Sequence, residues 1–200
     1  MSRSSGFGLA FLAAFVLLTS HVALGQSAAG THFGALAGPL FPSGQTSDSY
    51  KTGYQISGFV DHHGAKLPLG VRLEFGYSRL GFRSARGVSM ATEDTVFGSG
   101  NVVLVARSTK LQPFVLAGLG VYRVSVSGEG FDPFAIVHTY PISVTQTKPG
   151  WQIGVGFSFP IGNRSKIFFE ARYTQILTTE SPPLIPSNLG QIPLLLGVSF

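Results

Sequence analysis

The sequence predicts an all-β protein: one eight-stranded antiparallel up-and-down transmembrane β-barrel. Three observations predict it. Segments with apolar residues at every second position recur along the chain. Charged residues make up only 12% of the 200 residues, about half the roughly 25% of an ordinary soluble protein. Yet no apolar stretch beyond the N-terminus reaches the roughly 18 residues of a membrane helix. Finally, the connections between the segments alternate between long and short. In hydrocarbon only helices and closed barrels satisfy every backbone N–H and C=O, so a membrane chain without a spanning helix has to close its sheet.

The elements follow in order. Arg3 precedes an apolar run from Phe7 to Leu18, and Ala23-Leu24-Gly25 forms a small-x-small pattern before Gln26. The run is shorter than the roughly 20 residues a spanning helix needs. Residues 1–25 are therefore expected to be a removable signal peptide and 26–200 the barrel domain. The chain has no cysteine, which excludes disulfides, thiol chemistry and a lipid-anchored cysteine at the cleavage site.

Strands are expected at 31–42, 51–61, 69–80, 95–107, 112–124, 149–160, 166–178 and 190–200. In VRLEFGYS, Val71, Leu73, Phe75 and Tyr77 alternate with Arg72, Glu74, Gly76 and Ser78. In WQIGVGFSF, Trp151, Ile153, Val155, Phe157 and Phe159 alternate with Gln152, Gly154, Gly156 and Ser158. In IFFEARYT, Ile167, Phe169, Ala171 and Tyr173 alternate with Phe168, Glu170, Arg172 and Thr174. One greasy face and one polar or glycine face at a period of two is a lipid-out, lumen-in pattern. Segments 43–50, 81–94, 125–148 and 179–189 read as long loops, and 62–68, 108–111 and 161–165 as short turns. The long loops then face outward from the cell, with the turns and both termini in the periplasm. In the last strand, Ile192, Leu194, Leu196, Val198 and Phe200 share one side and Pro193, Leu195, Gly197 and Ser199 the other. The first set faces lipid once this strand closes against strand one.

The signal peptide, the eight-segment layout and the terminal Phe200 together resemble small bacterial outer-membrane β-barrels of the OmpA/OmpX and opacity-protein type. Within them, QPFVLAGLGVY resembles the Pro-aromatic-x-x-x-Gly-x-Gly fifth strand of that family, and the likeness spans residues 31–200. The resemblance implies the cell outer membrane of a Gram-negative-type bacterium. It also implies that the barrel-assembly machinery reads the last strand, through Leu196, Val198 and Phe200.

Inward charges are the first candidate site. Parity sends Arg72, Glu74, Glu170 and Arg172 into the lumen. An eight-stranded barrel is just wide enough for its own side chains, so these charges are expected to pair as a rigid ionic plug. His62 and His63 are adjacent and point in opposite directions, which suits a wet turn and not a metal site. His32 has no evident partner in the sequence, and His138 lacks the serine two residues on that lipid-modifying barrels of this kind carry, since Tyr140 stands there. GLGVYR falls within a strand and lacks the lysine and following helix of a phosphate loop, so its glycines relieve crowding.

Arg79, Arg83 and Arg86 gather around one long loop, where a lipopolysaccharide surface would offer them phosphates. No nucleic-acid partner is expected. The loop at 125–148 reads as strands five and six continuing above the membrane. Its apolar Phe131, Phe134, Ile136, Val137 and Tyr140 suit either a protein partner, bound by edge addition or hydrophobic contact, or a lid over the barrel mouth.

No catalytic, cofactor-binding or metal-binding set emerges. The expectation is a non-enzymatic outer-membrane protein in contact with outer-membrane lipid and lipopolysaccharide. It anchors surface loops for envelope integrity, adhesion or partner binding, and is not a general diffusion pore. Two alternatives stand beside it: a lipid-modifying or lipid-sensing enzyme, and a secreted lipocalin-like barrel with a hydrophobic ligand inside.

Overall fold

The computed structural model describes residues 30–44, 47, 49–63, 68–82, 88–106, 111–131, 139–161, 165–178 and 188–200. The expected signal peptide lies outside them. Eight strands follow one another: β1 Thr31–Ser43, β2 Tyr50–His63, β3 Leu69–Phe82, β4 Val88–Val105, β5 Gln112–Phe131, β6 Thr139–Ile161, β7 Ser165–Ile176 and β8 Leu189–Ser199. Each pairs antiparallel with the next, and β1 pairs with β8, so the sheet closes on itself. Phe200 adds one more rung to that seam: its N–H donates to Phe33 O at 2.8 Å, and Phe33 N–H donates to Phe200 O at 3.2 Å.

All eight expected strands are present, but three are longer than their alternation shows. β4 starts at Val88 instead of 95, β5 runs to Phe131, and β6 begins at Thr139. Most of the segments 81–94 and 125–148, read as loops, is therefore strand. The contrast in loop length becomes a contrast in strand length. β4, β5 and β6 have 18, 20 and 23 residues, where roughly 9–11 suffice to cross a bilayer. Above the lipid the outward positions turn polar, as at Asp94, Arg123, Thr145 and Thr147, so both faces carry polar residues and the period fades from the sequence.

The outer wall is apolar. Phe75, Leu119, Val121, Ile153 and Val155 all point outward and are more than half exposed. A band of that size needs lipid to cover it. Tyr54 with Tyr77 and Trp151 with Tyr173 form ring pairs toward its outer edge, at 6.1 and 5.5 Å, where amphipathic rings favour a membrane interface. A soluble lipocalin-like carrier would require the opposite parity.

The lumen is packed in layers. Leu36, Phe59, Val103, Phe114, Leu116, Phe168 and Leu195 fill the end near the short turns. Leu40, Tyr50, Leu80, Phe97, Tyr122, Val124, Val126, Ile176 and Leu189 fill the other end. Parity had already turned Phe168 and Leu195 inward, but the polar-lumen expectation passed over the others; a barrel this narrow excludes water from both ends and buries them as an ordinary core does. Crowding explains the inward glycines. A Cβ on Gly156 would lie 2.4 Å from the Phe114 ring and 2.5 Å from Phe169 O, and one on Gly118 2.4 Å from Gly100 O.

Candidate functional site

An ionic cluster is interleaved with the apolar layer near the short turns. Arg72 on β3 donates through Nε and Nη2 to both carboxylate oxygens of Asp61 on β2, at 2.7 and 2.9 Å. Its Nη1 reaches across the lumen to Glu170 Oε2 on β7 at 2.8 Å. Arg172 donates through Nε to Glu170 Oε1, and through Nη1 to Glu74 Oε2 back on β3 at 2.6 Å. The four residues singled out by parity thus meet directly, and a fifth that sequence reading passed over, Asp61, extends the chain from Arg72.

The result is an alternating chain Asp61–Arg72–Glu170–Arg172–Glu74, all 3% exposed or less. Fork-shaped guanidinium donors suit such bridging, and burial makes loss of either partner costly. The Arg72 guanidinium also lies over the Phe59 ring at 4.3 Å, with Phe168 and Phe114 at 5.7 and 5.8 Å. Asp61 was legible in principle. It is the one acid of its segment, it shares the parity of Ser57 and Phe59, and it faces Arg72 directly across the β2–β3 pair.

A second inward set is amide and hydroxyl. Gln152 Nε2 donates to Asn101 Oδ1 at 2.6 Å and Ser99 Oγ at 3.0 Å. Higher up, buried Glu93 accepts on Oε1 from Thr95 Oγ1 and Gln191 Nε2 at 3.3 and 3.1 Å, while its Oε2 has no hydrogen-bond partner. Nothing in the local pattern marked Glu93, because its strand segment read as loop.

Arg79 points outward at the rim, where Nε and Nη2 donate to Asp94 at 2.6 and 3.1 Å and Tyr77 OH donates to the same carboxylate. Arg83 and Arg86 fall outside the described residues. Leu196, Val198 and Phe200 face outward from β8 and its end, each 40% exposed or more. Phe131 and Tyr140 sit at the far end of the β5–β6 pair, in the last two rungs, Gly130↔Tyr140 and Phe131↔Thr139. Phe134, Ile136, Val137 and His138 lie outside the described residues.

The histidines end up elsewhere than expected. His62 and His63 close β2 instead of forming the turn. They still point apart: His62 Nδ1 lies 3.0 Å from Thr31 Oγ1, and His63 Nε2 lies 3.8 Å from Asp61 Oδ2. His32 lines the same mouth of the barrel as His63. Among the described residues, no three His, Asp or Glu side chains converge as metal ligands.

A closed, lipid-clad barrel whose lumen is filled by its own side chains is a membrane-embedded scaffold of the outer-membrane kind. The sequence matches the family model of the outer membrane protein beta-barrel domain over residues 10–200. The chain belongs to that family, and its place is the bacterial outer membrane. The comparison with curated proteins found no match. Among solved structures, Neisserial surface protein A is similar at 16% identity and a TM-score of 0.60, over 87% of this chain and 98% of that one. A major outer membrane protein from Thermus thermophilus is similar at 15% identity and a TM-score of 0.61, over 85% and 98%. At these identities the likeness is one of fold.

Proposed function

We propose that the protein is a non-enzymatic outer-membrane anchor that presents a raised β-sheet edge to partners outside the cell. One observation carries this reading. The β5–β6 ladder continues to Phe131↔Thr139, whereas β6 pairs with β7 only from Gly150↔Ile176 onward. Leu177 N–H still donates to Pro149 O at 3.0 Å, so residues 139–148 of β6 are the ones without a strand-ladder partner on the β7 side among the described residues. Ten residues of β5 beyond Val121, rising about 3.4 Å each and tilted about 40°, lift the arm roughly 25 Å above the apolar band. An unpaired edge held above the membrane offers main-chain donors and acceptors to an added strand.

The inward face of the arm has a different job. Val124 and Val126 are fully buried and pack with Leu40, Leu80 and Leu189, so the base of the arm seals the outer end of the lumen. The seal and the ionic chain support a non-porin reading. The rim cation Arg79, already oriented by Asp94, suits contact with lipopolysaccharide phosphates.

Two measurements test the proposal. Purified protein in planar bilayers is expected to give at most rare, small conductance events. Large regular steps would show that the lumen conducts. Cells expressing a variant shortened by residues 127–143 should keep an inserted barrel but lose adherence to immobilised serum and matrix proteins. Equal adherence of the two proteins, with both displayed at the surface, would refute the role of the raised edge.

A further inference from the structure

We propose that the periplasmic mouth of the barrel is a binding cup for one carboxylate group. The cup lies where the strand ends meet the short turns, and all eight strands contribute to its lining. Its polar wall consists of His32, Asp61, His63, Ser158, Lys166 and Ser199, above a floor formed by Arg72 and the Phe114 and Phe168 rings. The enclosed space is about 20 Å³, which admits one water-sized ligand atom. A carboxylate oxygen has that size, and the rest of its molecule would extend toward the periplasm.

The donors are in place. Ser199 Oγ lines the cup, is fully buried and has no hydrogen-bond partner. A buried hydroxyl without a partner costs stability, so an acceptor seated against it would relieve that cost. Lys166 Nζ donates to Gln112 Oε1 at 3.3 Å and is held at the rim with further N–H donors to spare, while Ser158 Oγ spends its one donor on the same oxygen at 3.4 Å. Asp61 is the one acid in the lining, and both of its oxygens are engaged by Arg72.

Charge balance sets the condition for binding. The buried chain holds three carboxylates and two guanidiniums, and Lys166 beside Asp61 offsets the excess. Among the described residues, the cup and the chain beneath it sum to zero when His32 and His63 are neutral. His32 and His63 face the space, and a proton on either would balance an incoming carboxylate. Among the described residues, no other ionisable side chain lines the space. Protonation of either histidine thus favours carboxylate binding.

The test is a titration of the folded barrel in detergent micelles, with sodium acetate and, at matched ionic strength, sodium chloride. The readouts are the backbone amide shifts of Ser199 and His63 and the unfolding midpoint. Acetate should produce saturable shifts at pH 6, and its affinity should fall as the pH is raised. N-acetyl-alanyl-alanine, run in parallel, separates a free small acid from a peptide terminus: tighter binding than acetate assigns the cup to peptide ends, and weaker binding to small acids.

Ser199→Ala should raise the midpoint of the unliganded barrel, because it deletes an unpaired hydroxyl, yet weaken acetate at least fivefold. A residue that merely packed there would not separate the two readouts. Lys166→Gln should weaken acetate similarly, and His32→Gln with His63→Gln should abolish the pH dependence. The proposal is overturned if acetate has no saturable effect beyond that of chloride, or if Ser199→Ala and Lys166→Gln bind acetate as the unmodified protein does.

Discussion

The interior charge chain makes an asymmetric prediction. Arg172 is fully enclosed and holds two carboxylates, Glu170 and Glu74, while Glu74 has Arg172 as its one ion-pair partner among the described residues. Arg172→Ala leaves three buried carboxylates facing the single guanidinium of Arg72, and Glu74 keeps no cation. Breaking a buried pair in this way costs about 3–5 kcal/mol. Glu74→Ala removes one of the three carboxylates and leaves Asp61, Arg72, Glu170 and Arg172 balanced two against two. Its cost should approach that of one charged hydrogen bond, about 1.5–3 kcal/mol. The double substitution leaves Asp61, Arg72 and Glu170, with no orphan at position 74, and should cost less than the sum by about 1–3 kcal/mol. Urea unfolding of the lipid-embedded barrel measures all four proteins. Trp151, the single tryptophan, faces lipid and reports loss of the wall by its emission. Strict additivity, or a larger loss for Glu74→Ala than for Arg172→Ala, would refute the alternating chain.

Deleting Phe200 should leave precursor processing intact but lower the assembled barrel in the outer membrane, since the seam loses its last rung with Phe33; unchanged heat-modifiable gel mobility would count against it. Gly156→Val should block or slow assembly, because Phe169 O lies on the strand backbone and cannot retreat from a Cβ 2.5 Å away; normal barrel yields would show that the wall gives there. Glu93→Gln should raise the unfolding midpoint at neutral pH by on the order of 1 kcal/mol, since an amide keeps an acceptor for Thr95 and Gln191 and removes a buried charge. A fall in the midpoint would refute this and mean that the carboxylate makes a contact the amide cannot replace, as with Tyr50.

Sequence alone determined the wall of this protein. Alternation along VRLEFGYS, WQIGVGFSF and IFFEARYT assigned lipid and lumen faces correctly, Phe168 included, because the strand period is a local property of the backbone. The same parity sent Arg72, Glu74, Glu170 and Arg172 inward, and a narrow barrel left them no alternative to meeting. What parity cannot supply is height and register across the lumen. Asp61 joins Arg72 because the β2–β3 register sets them opposite each other, and Glu170 joins because closure brings β7 against β3. Strand extension above the membrane was partly hidden, since an outward face bathed in water need not be apolar, and so Glu93 fell into a presumed loop. The cup at the periplasmic mouth was not legible at all. His32, Asp61, His63, Lys166 and Ser199 come from four strands spread along the chain, and only closure of the sheet gathers them around one space.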